Sequence, residues 1–252
     1  MESSPSPLLE HPSGLFVHLP GFPGAEGWFA GFTTLRAGGV MDAVLPYLGW
    51  GDLPVFRPIQ VHGSRVLQIT AAENPGALRE EADGLASGRR GIVLAVASAD
   101  CVPLILFDPG ARAGAVLHAG WRGTVRRIAL EGVRVLKDTW GCRPGNLLAL
   151  PGPCIGPCCY RVGEELVRAF AEAGIVGEGI LLGEEGSRHI DLSAANRLLL
   201  EEAGVPRRNI LGGALCTRCR PDLFPSYRRE GAGAGRMLAF LGSSAAPSTP
   251  PR

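Results

Sequence analysis

Two apolar runs, Val102 to Phe107 and Ala113 to Leu117, flank the turn signal Asp108-Pro109-Gly110. Runs of this length with a Pro-Gly turn between them predict an antiparallel hairpin. Antiparallel partners stand at equal distances from the turn, so Cys101 and His118 are expected to meet at its open end. Further short strands are predicted at Leu15–His18, Trp28–Thr33, Val66–Ile69, Ile92–Ser98, Leu147–Leu150, Ile210–Leu215 and Met237–Leu241.

In three places the apolar spacing changes to threes and fours. Val125, Ile128, Ala129, Val133 and Leu136 make one stripe of a helix from about Thr124 to Asp138, with Gly141 beyond its end. A second helix, Gly163 to Ala173, carries Leu166, Val167 and Phe170 and stops at Gly174. The third starts with Asp191 or Ser193 as N-cap, holds Leu198 and Leu199, and ends at Gly204 and Pro206. Strand and helix alternate irregularly. The expected class is therefore α+β, a single-domain mixed β-sheet sandwich flanked by helices.

Composition sharpens the ends of this picture. A chain of 252 residues can bury one sizeable core, and its 36 glycines and 21 prolines favour short elements and tight turns. Residues 1–13 and 243–252 are rich in Ser and Pro and are expected to be flexible tails around a domain spanning 14–242. A net charge of +1 supplies no chain-wide positive field, which argues against nucleic acid and anionic membranes and for a small-molecule ligand. The start lacks a basic segment followed by an apolar one, and no apolar run reaches the roughly 20 residues of a membrane span. A cytoplasmic monomer is expected. In a reducing compartment the seven cysteines read as ligands, nucleophiles or small core residues before disulfides.

A thiol facing an imidazole is half of a metal site or of a nucleophilic one. His62, in Gln60-Val61-His62-Gly63, is the most suggestive third member, because the following glycine permits a tight turn or a close approach. Two imidazoles and a thiolate make a three-ligand zinc set with its fourth position open. The residues alone leave a second reading standing, in which Cys101 is a small core residue and both histidines are hydrogen-bonded scaffold.

Gln60-Val61-His62-Gly63, Ala82-Asp83-Gly84-Leu85, Ser98-Ala99-Asp100-Cys101-Val102-Pro103, His118-Ala119-Gly120-Trp121-Arg122-Gly123, Gly152-Pro153-Cys154-Ile155-Gly156, Asp191-Leu192, Cys216-Thr217 and Ser226-Tyr227-Arg228-Arg229 follow one another along the chain. In that order they resemble the YfiH-like family, also called the laccase-domain or polyphenol oxidase family, purine nucleoside phosphorylases and peptidoglycan-editing factors. The resemblance implies that His62, Cys101 and His118 bind zinc, and copper can bind in its place. It also implies phosphorolysis of adenosine, inosine and methylthioadenosine, and deamination of adenosine. Two blocks depart from the family pattern. Phe32-Thr33-Thr34-Leu35-Arg36 stands where the family has Phe-Ser-Thr-Arg, and Tyr47-Leu48-Gly49 where it has Asn-Leu-Gly.

Phosphate could be received by Arg122 and the start of the helix behind it, with Arg228, Arg229 and Arg36 as further donors. The resemblance raises Arg122 and Arg228 above ordinary surface arginines. Trp121 could stack on a purine or serve the core, and Asp100 could orient a ligand or act as acid or base. The same site could instead act as an amide hydrolase on a mis-loaded precursor such as UDP-N-acetylmuramoyl-L-serine, with Cys101 as nucleophile. A copper polyphenol oxidase needs more imidazoles than the five histidines present. Cys216-Thr217-Arg218-Cys219 lacks a second CxxC and reads as ordinary thiols. Cys154, Cys158 and Cys159 have the wrong spacing for a zinc base deaminase, and no His-x-Glu exists to accompany them.

Overall fold

The computed structural model describes residues 8–70, 78–184, 186–212 and 215–244. Its strands, in chain order, are Leu9–Glu10 (β1), Phe16–His18 (β2), Trp28–Thr33 (β3), Val55–Phe56 (β4), Val66–Gln68 (β5), Gly84–Ser87 (β6), Ile92–Ser98 (β7), Val102–Asp108 (β8), Ala113–Ala119 (β9), Leu148–Pro151 (β10), Leu181–Leu182 (β11), His189–Ile190 (β12) and Met237–Ser243 (β13). The α-helices are Trp121–Val125 (α1), Ile128–Trp140 (α2), Glu164–Glu172 (α3), Leu192–Glu202 (α4) and Tyr227–Glu230 (α5). Among the described residues no helix is long and apolar enough to cross a membrane.

The near-continuous apolar character of β7 and β8 follows from cover on both faces. The two strands belong to different sheets, ordered β1-β2-β3-β13-β7-β4 and β10-β8-β9-β6-β5. Phe32, Leu94, Val96, Ile105, Phe107, Val116 and Leu241 fill the space between the sheets. Alternate residues of the same strands face outward. Val93, Ala95, Leu238 and Phe240 meet Phe16, Val44, Leu45 and Trp50 on one side. On the other side Leu104, Leu106, Ala115 and Leu117 meet Ile128, Val133 and Leu136 of α2 and Leu199 of α4. The result is the α+β sandwich with flanking helices that the chain pattern predicts.

The hairpin forms two residues out of the expected register: Asp108 pairs with Ala113 across a longer turn, so Pro103 stands opposite His118, and Cys101 reaches the imidazole from just before β8. Both domain limits shift outward. Within the expected 1–13 tail, Leu9 and Glu10 pair with His18 and Val17, so β2 completes the backbone bonds of a polar segment. Ser243, placed in the other tail, pairs with both Trp28 and Ile92.

The first predicted helix is two helices. It starts at Trp121 and breaks at Arg127, whose φ of 61° is left-handed. Arg127 donates from there to Glu202 at 2.6 Å and to the Ala173 carbonyl at 2.9 Å, tying the break to α4 and the end of α3. The other two helices sit where expected, and the Asp191 carboxylate accepts the Ala194 N–H as N-cap. At the predicted strand Ile210–Leu215, Ile210 and the neighbouring Cys216 make only isolated bridges, to Ala149 and Cys154. Gly213 and Ala214 lie outside the described residues.

Candidate metal centre

Three separate elements supply the site. Cys101 immediately precedes β8, His118 is the penultimate residue of β9, and His62 comes from the loop between β4 and β5. Each offers one ligand atom, and these atoms all lie within 4.8 Å of one another. The two imidazole rings stand 4.9 Å apart at an interplanar angle of 78°. His118 is buried and His62 exposed, so the group opens to solvent on the His62 side.

Close approach explains the glycines of His118-Ala119-Gly120-Trp121-Arg122-Gly123. A Cβ on Gly120 would stand 2.8 Å from the Cys101 Sγ and 3.3 Å from the His62 ring, and one on Gly123 would stand 2.8 Å from the Gly63 carbonyl. Only hydrogen fits between the hairpin and the histidine loop.

Asp83 organises the imidazoles. Its Oδ1 lies 2.8 Å from His118 Nδ1, while its two oxygens accept the backbone N–H groups of Val61 at 3.2 Å, His62 at 3.0 Å and Gly63 at 2.6 Å. Burial opposes its ionisation, but the bonds from His118, Gly63 and Val61 outweigh burial and hold the carboxyl below its ordinary value. An ionised carboxylate only accepts, so His118 Nδ1 carries the proton, which leaves Nε2 as the atom that could bind a metal. The three N–H bonds also hold His62 in its left-handed conformation, φ 57°. Gln60 anchors the same loop from its other end, with Nε2 donating to the Ala97 carbonyl at 2.8 Å and Oε1 accepting the Ala97 N–H at 2.7 Å.

The electrostatics favour a thiolate. Burial raises the Cys101 pKa, yet bonds from His118 and His62 overcome it and draw the thiol down to about 6. For His118, burial is outweighed by Asp83 and Cys101, which lift its pKa to about 9. The proton has left sulfur for nitrogen, where a metal cation can replace it.

Asp100 is fully engaged. Oδ1 accepts from the Thr217 hydroxyl at 2.6 Å, and Oδ2 accepts from the Ser226 hydroxyl at 3.1 Å and the Arg228 backbone N–H at 2.7 Å. Its own carbonyl accepts the Ile155 N–H at 2.9 Å. Of its two expected roles, the geometry favours positioning of Cys101 over acid–base work.

The arginines separate. Arg122 is exposed, with its guanidinium 4.4 Å from the Trp121 ring centroid. Trp121 thus serves as a platform for Arg122 and packs its other parts against the core. With only five residues, α1 has little dipole to offer an anion, which moves the expected phosphate contact to the Arg122 side chain. Arg228 lies 5.2 Å from the Tyr160 ring and donates to the Arg161 carbonyl at 2.9 Å. Arg229 donates to the carbonyls of Thr217, Arg218 and Phe224 and is scaffold. Arg36 rests against Gly14. Sequence reasoning passed over Tyr160, whose pKa is pushed up to about 12 by burial and by the nearby Cys101 charge.

A family model described as multi-copper polyphenol oxidoreductase laccase matches residues 41–244. The chain belongs to this family. A purine nucleoside phosphorylase, YlmD, of Geobacillus stearothermophilus is 37% identical over 205 residues, covering 77% of this chain and 74% of that protein. The adenosine deaminase RL5, from an unknown prokaryotic organism, is 41% identical over 196 residues, covering 73% of each. The crystal structure of YlmD from Geobacillus stearothermophilus superposes with a TM-score of 0.84 and 28% identity, over 95% of this chain and all of that one. The laccase family is metal-binding by description, and His62, Cys101 and His118 form a cluster that could hold an ion.

One departure from the family pattern falls away from this centre. A Cβ on Gly242 would stand 2.8 Å from the Trp50 ring, so the Tyr47–Asp52 block meets β13 near the Val93 end of β7. Cys101 follows the opposite end of β7, Ser98, which lies five residues and about 16 Å from Val93 along a strand that rises ~3.3 Å per residue.

Proposed function

We propose that this protein is a zinc-dependent purine nucleoside phosphorylase that also deaminates adenosine. The names of its relatives bring the reaction class. The observation that carries the reading in this chain is the three-ligand group His62, Cys101 and His118, backed by Asp83 and open on one side. Two imidazole nitrogens and a thiolate suit zinc, and three protein ligands leave a position for a substrate or water. Copper shares the preference for nitrogen and sulfur and can compete. When bound, zinc supplies Lewis-acid chemistry and makes water nucleophilic near neutral pH.

The chain's own residues do the rest. Arg122 and Arg228 bind phosphate through charge-assisted N–H donors. A phosphate oxygen then bonds to ribose C1′ as the C1′–N9 bond breaks, and the electron pair leaves with the purine. Tyr160 stays protonated and donates its O–H to the sugar or base. Asp100 holds Cys101 and the Ser226–Arg228 turn in register. The substrates are a small purine nucleoside and phosphate, with no nucleic acid or membrane involved, and the protein acts as a cytoplasmic monomer.

The copper oxidase reading lacks ligands. His11 stacks on Phe16 at 4.3 Å, His18 packs on Phe29 at 5.3 Å and His189 of β12 pairs with Leu182 of β11, and among the described residues the imidazoles in a group that could hold a metal are His62 and His118.

The test is product analysis on adenosine with phosphate. Adenine with ribose 1-phosphate, and inosine, are expected, and both are lost on chelation. Zinc-replete protein that leaves adenosine intact, or that turns over only UDP-N-acetylmuramoyl-L-serine, overturns the reading.

A further inference from the structure

A second group of sulfurs converges outside this centre. Cys158 and Cys159 lie in the turn after Gly156, and Cys216 and Cys219 lie in the turn 216–219. The sequence reading treats the latter as ordinary thiols for want of another CxxC pair. The adjacent Cys158 and Cys159, though not a CxxC, bring the two further thiols. All four Sγ atoms lie within 4.8 Å of one another, with Cys158 to Cys219 at 3.8 Å and Cys159 to Cys219 at 3.4 Å. These separations exceed the ~2.05 Å of a disulfide. They approach the edge, roughly 3.8 Å, of a tetrahedron with metal–sulfur bonds of ~2.3 Å.

The two turns are built against each other. Cys154 N–H donates to the Leu215 carbonyl at 3.1 Å, and Thr217 N–H donates to the Cys154 carbonyl at 2.9 Å. Gly156 N–H donates to the Cys216 Sγ at 3.2 Å, a bond that favours thiolate over thiol. A Cβ on Gly156 would stand 3.2 Å from the Cys216 Cβ and 3.3 Å from the Cys158 Sγ, so glycine permits the approach. Four thiolates around a divalent ion leave an excess negative charge, and the Arg218 guanidinium, 3.6 Å from the Cys159 Sγ, offsets part of it.

We propose that Cys158, Cys159, Cys216 and Cys219 form a closed tetrathiolate zinc site, distinct from the His62, Cys101 and His118 centre. Four protein ligands leave no vacant position, so the ion is structural. It clamps the two turns that serve Asp100, since Thr217 lies between Cys216 and Cys219 and Ile155 lies beside Cys154. The site does not depend on the nucleoside reading.

Native mass spectrometry of the full chain, purified under reductant with zinc, tests it. Two zinc ions are expected in the wild type, one in Cys101→Ala and one in Cys158→Ser/Cys219→Ser. Thiol titration of the unmutated protein gives an independent readout. The exposed Cys158 and Cys219 are expected to resist a thiol reagent until a chelator is added, and then to react at least tenfold faster. A wild type with a single zinc that Cys101→Ala removes, an unchanged count in the double variant, iron or a disulfide at the four cysteines, or immediate reaction of the exposed thiols overturns the proposal. None of those outcomes touches the nucleoside assay.

Discussion

Asp83 reaches His118 Nδ1 at 2.8 Å while accepting the backbone N–H of His62 at 3.0 Å, so one buried carboxylate sets both imidazoles. Asp83→Asn puts an amide donor where donors already point. Metal affinity is expected to fall about 10–100-fold, measured by competition with a chromophoric chelator. Unchanged affinity would show that the imidazoles hold their positions without it.

Gly120→Ala inserts a methyl 2.8 Å from the Cys101 Sγ. Displacement of the sulfur should lower metal occupancy and cost about 1–3 kcal/mol of stability, as overpacking does. Gly145→Ala is the control, because a Cβ there meets nothing within 4 Å. Equal occupancy in both variants by elemental analysis would refute the steric argument.

Asp100→Ala leaves the Thr217 and Ser226 hydroxyls and the Arg228 N–H without their acceptor. A stability loss of about 1–3 kcal/mol follows from stranded buried donors. Residual activity should keep the pH profile of the wild type. Loss of one limb of that profile would instead make Asp100 the acid or base.

Phe107 is fully buried between the sheets and packs its ring 5.0 Å from Trp28. Phe107→Ala should cost about 3–5 kcal/mol in urea unfolding. A cost under ~1 kcal/mol would mean that the sheets do not share one core.

Burial pushes the Cys142 thiol up to about 12 and raises Cys154 well above its ordinary value. Both should stay protonated at pH 8, and so escape alkylation in the native protein, reacting only on unfolding. Peptide mapping after labelling checks this. Native labelling of either residue would place it at the surface.

The hairpin and its Cys101–His118 end were legible because two apolar runs and a Pro-Gly turn are local signals. His62 was traceable through Gly63, although the hydrogen bonds that hold it come from Asp83, 21 residues away. Asp83 itself lies beside a glycine in a four-residue strand and carries no local mark of its role. The break at Arg127 was hidden because apolar spacing runs through it. What fixes it are the contacts of Arg127 with Glu202 and Ala173, and no window around residue 127 contains them. The cysteine quartet was missed for the same reason, since its halves stand 60 and 61 residues apart. The β1 strand was masked by a Ser/Pro-rich start, and only its partner β2 makes it a strand.

The carboxamide of Gln60 has a consequence for association. Among the described residues β4 pairs with β7 at Val93 and Leu94, and further along the rim the side chain of Gln60 fills both the donor and the acceptor of Ala97. A foreign polypeptide seeking to zip onto that border finds its next rung already taken by a glutamine. The loop presenting His62 therefore also guards its neighbour against templated aggregation.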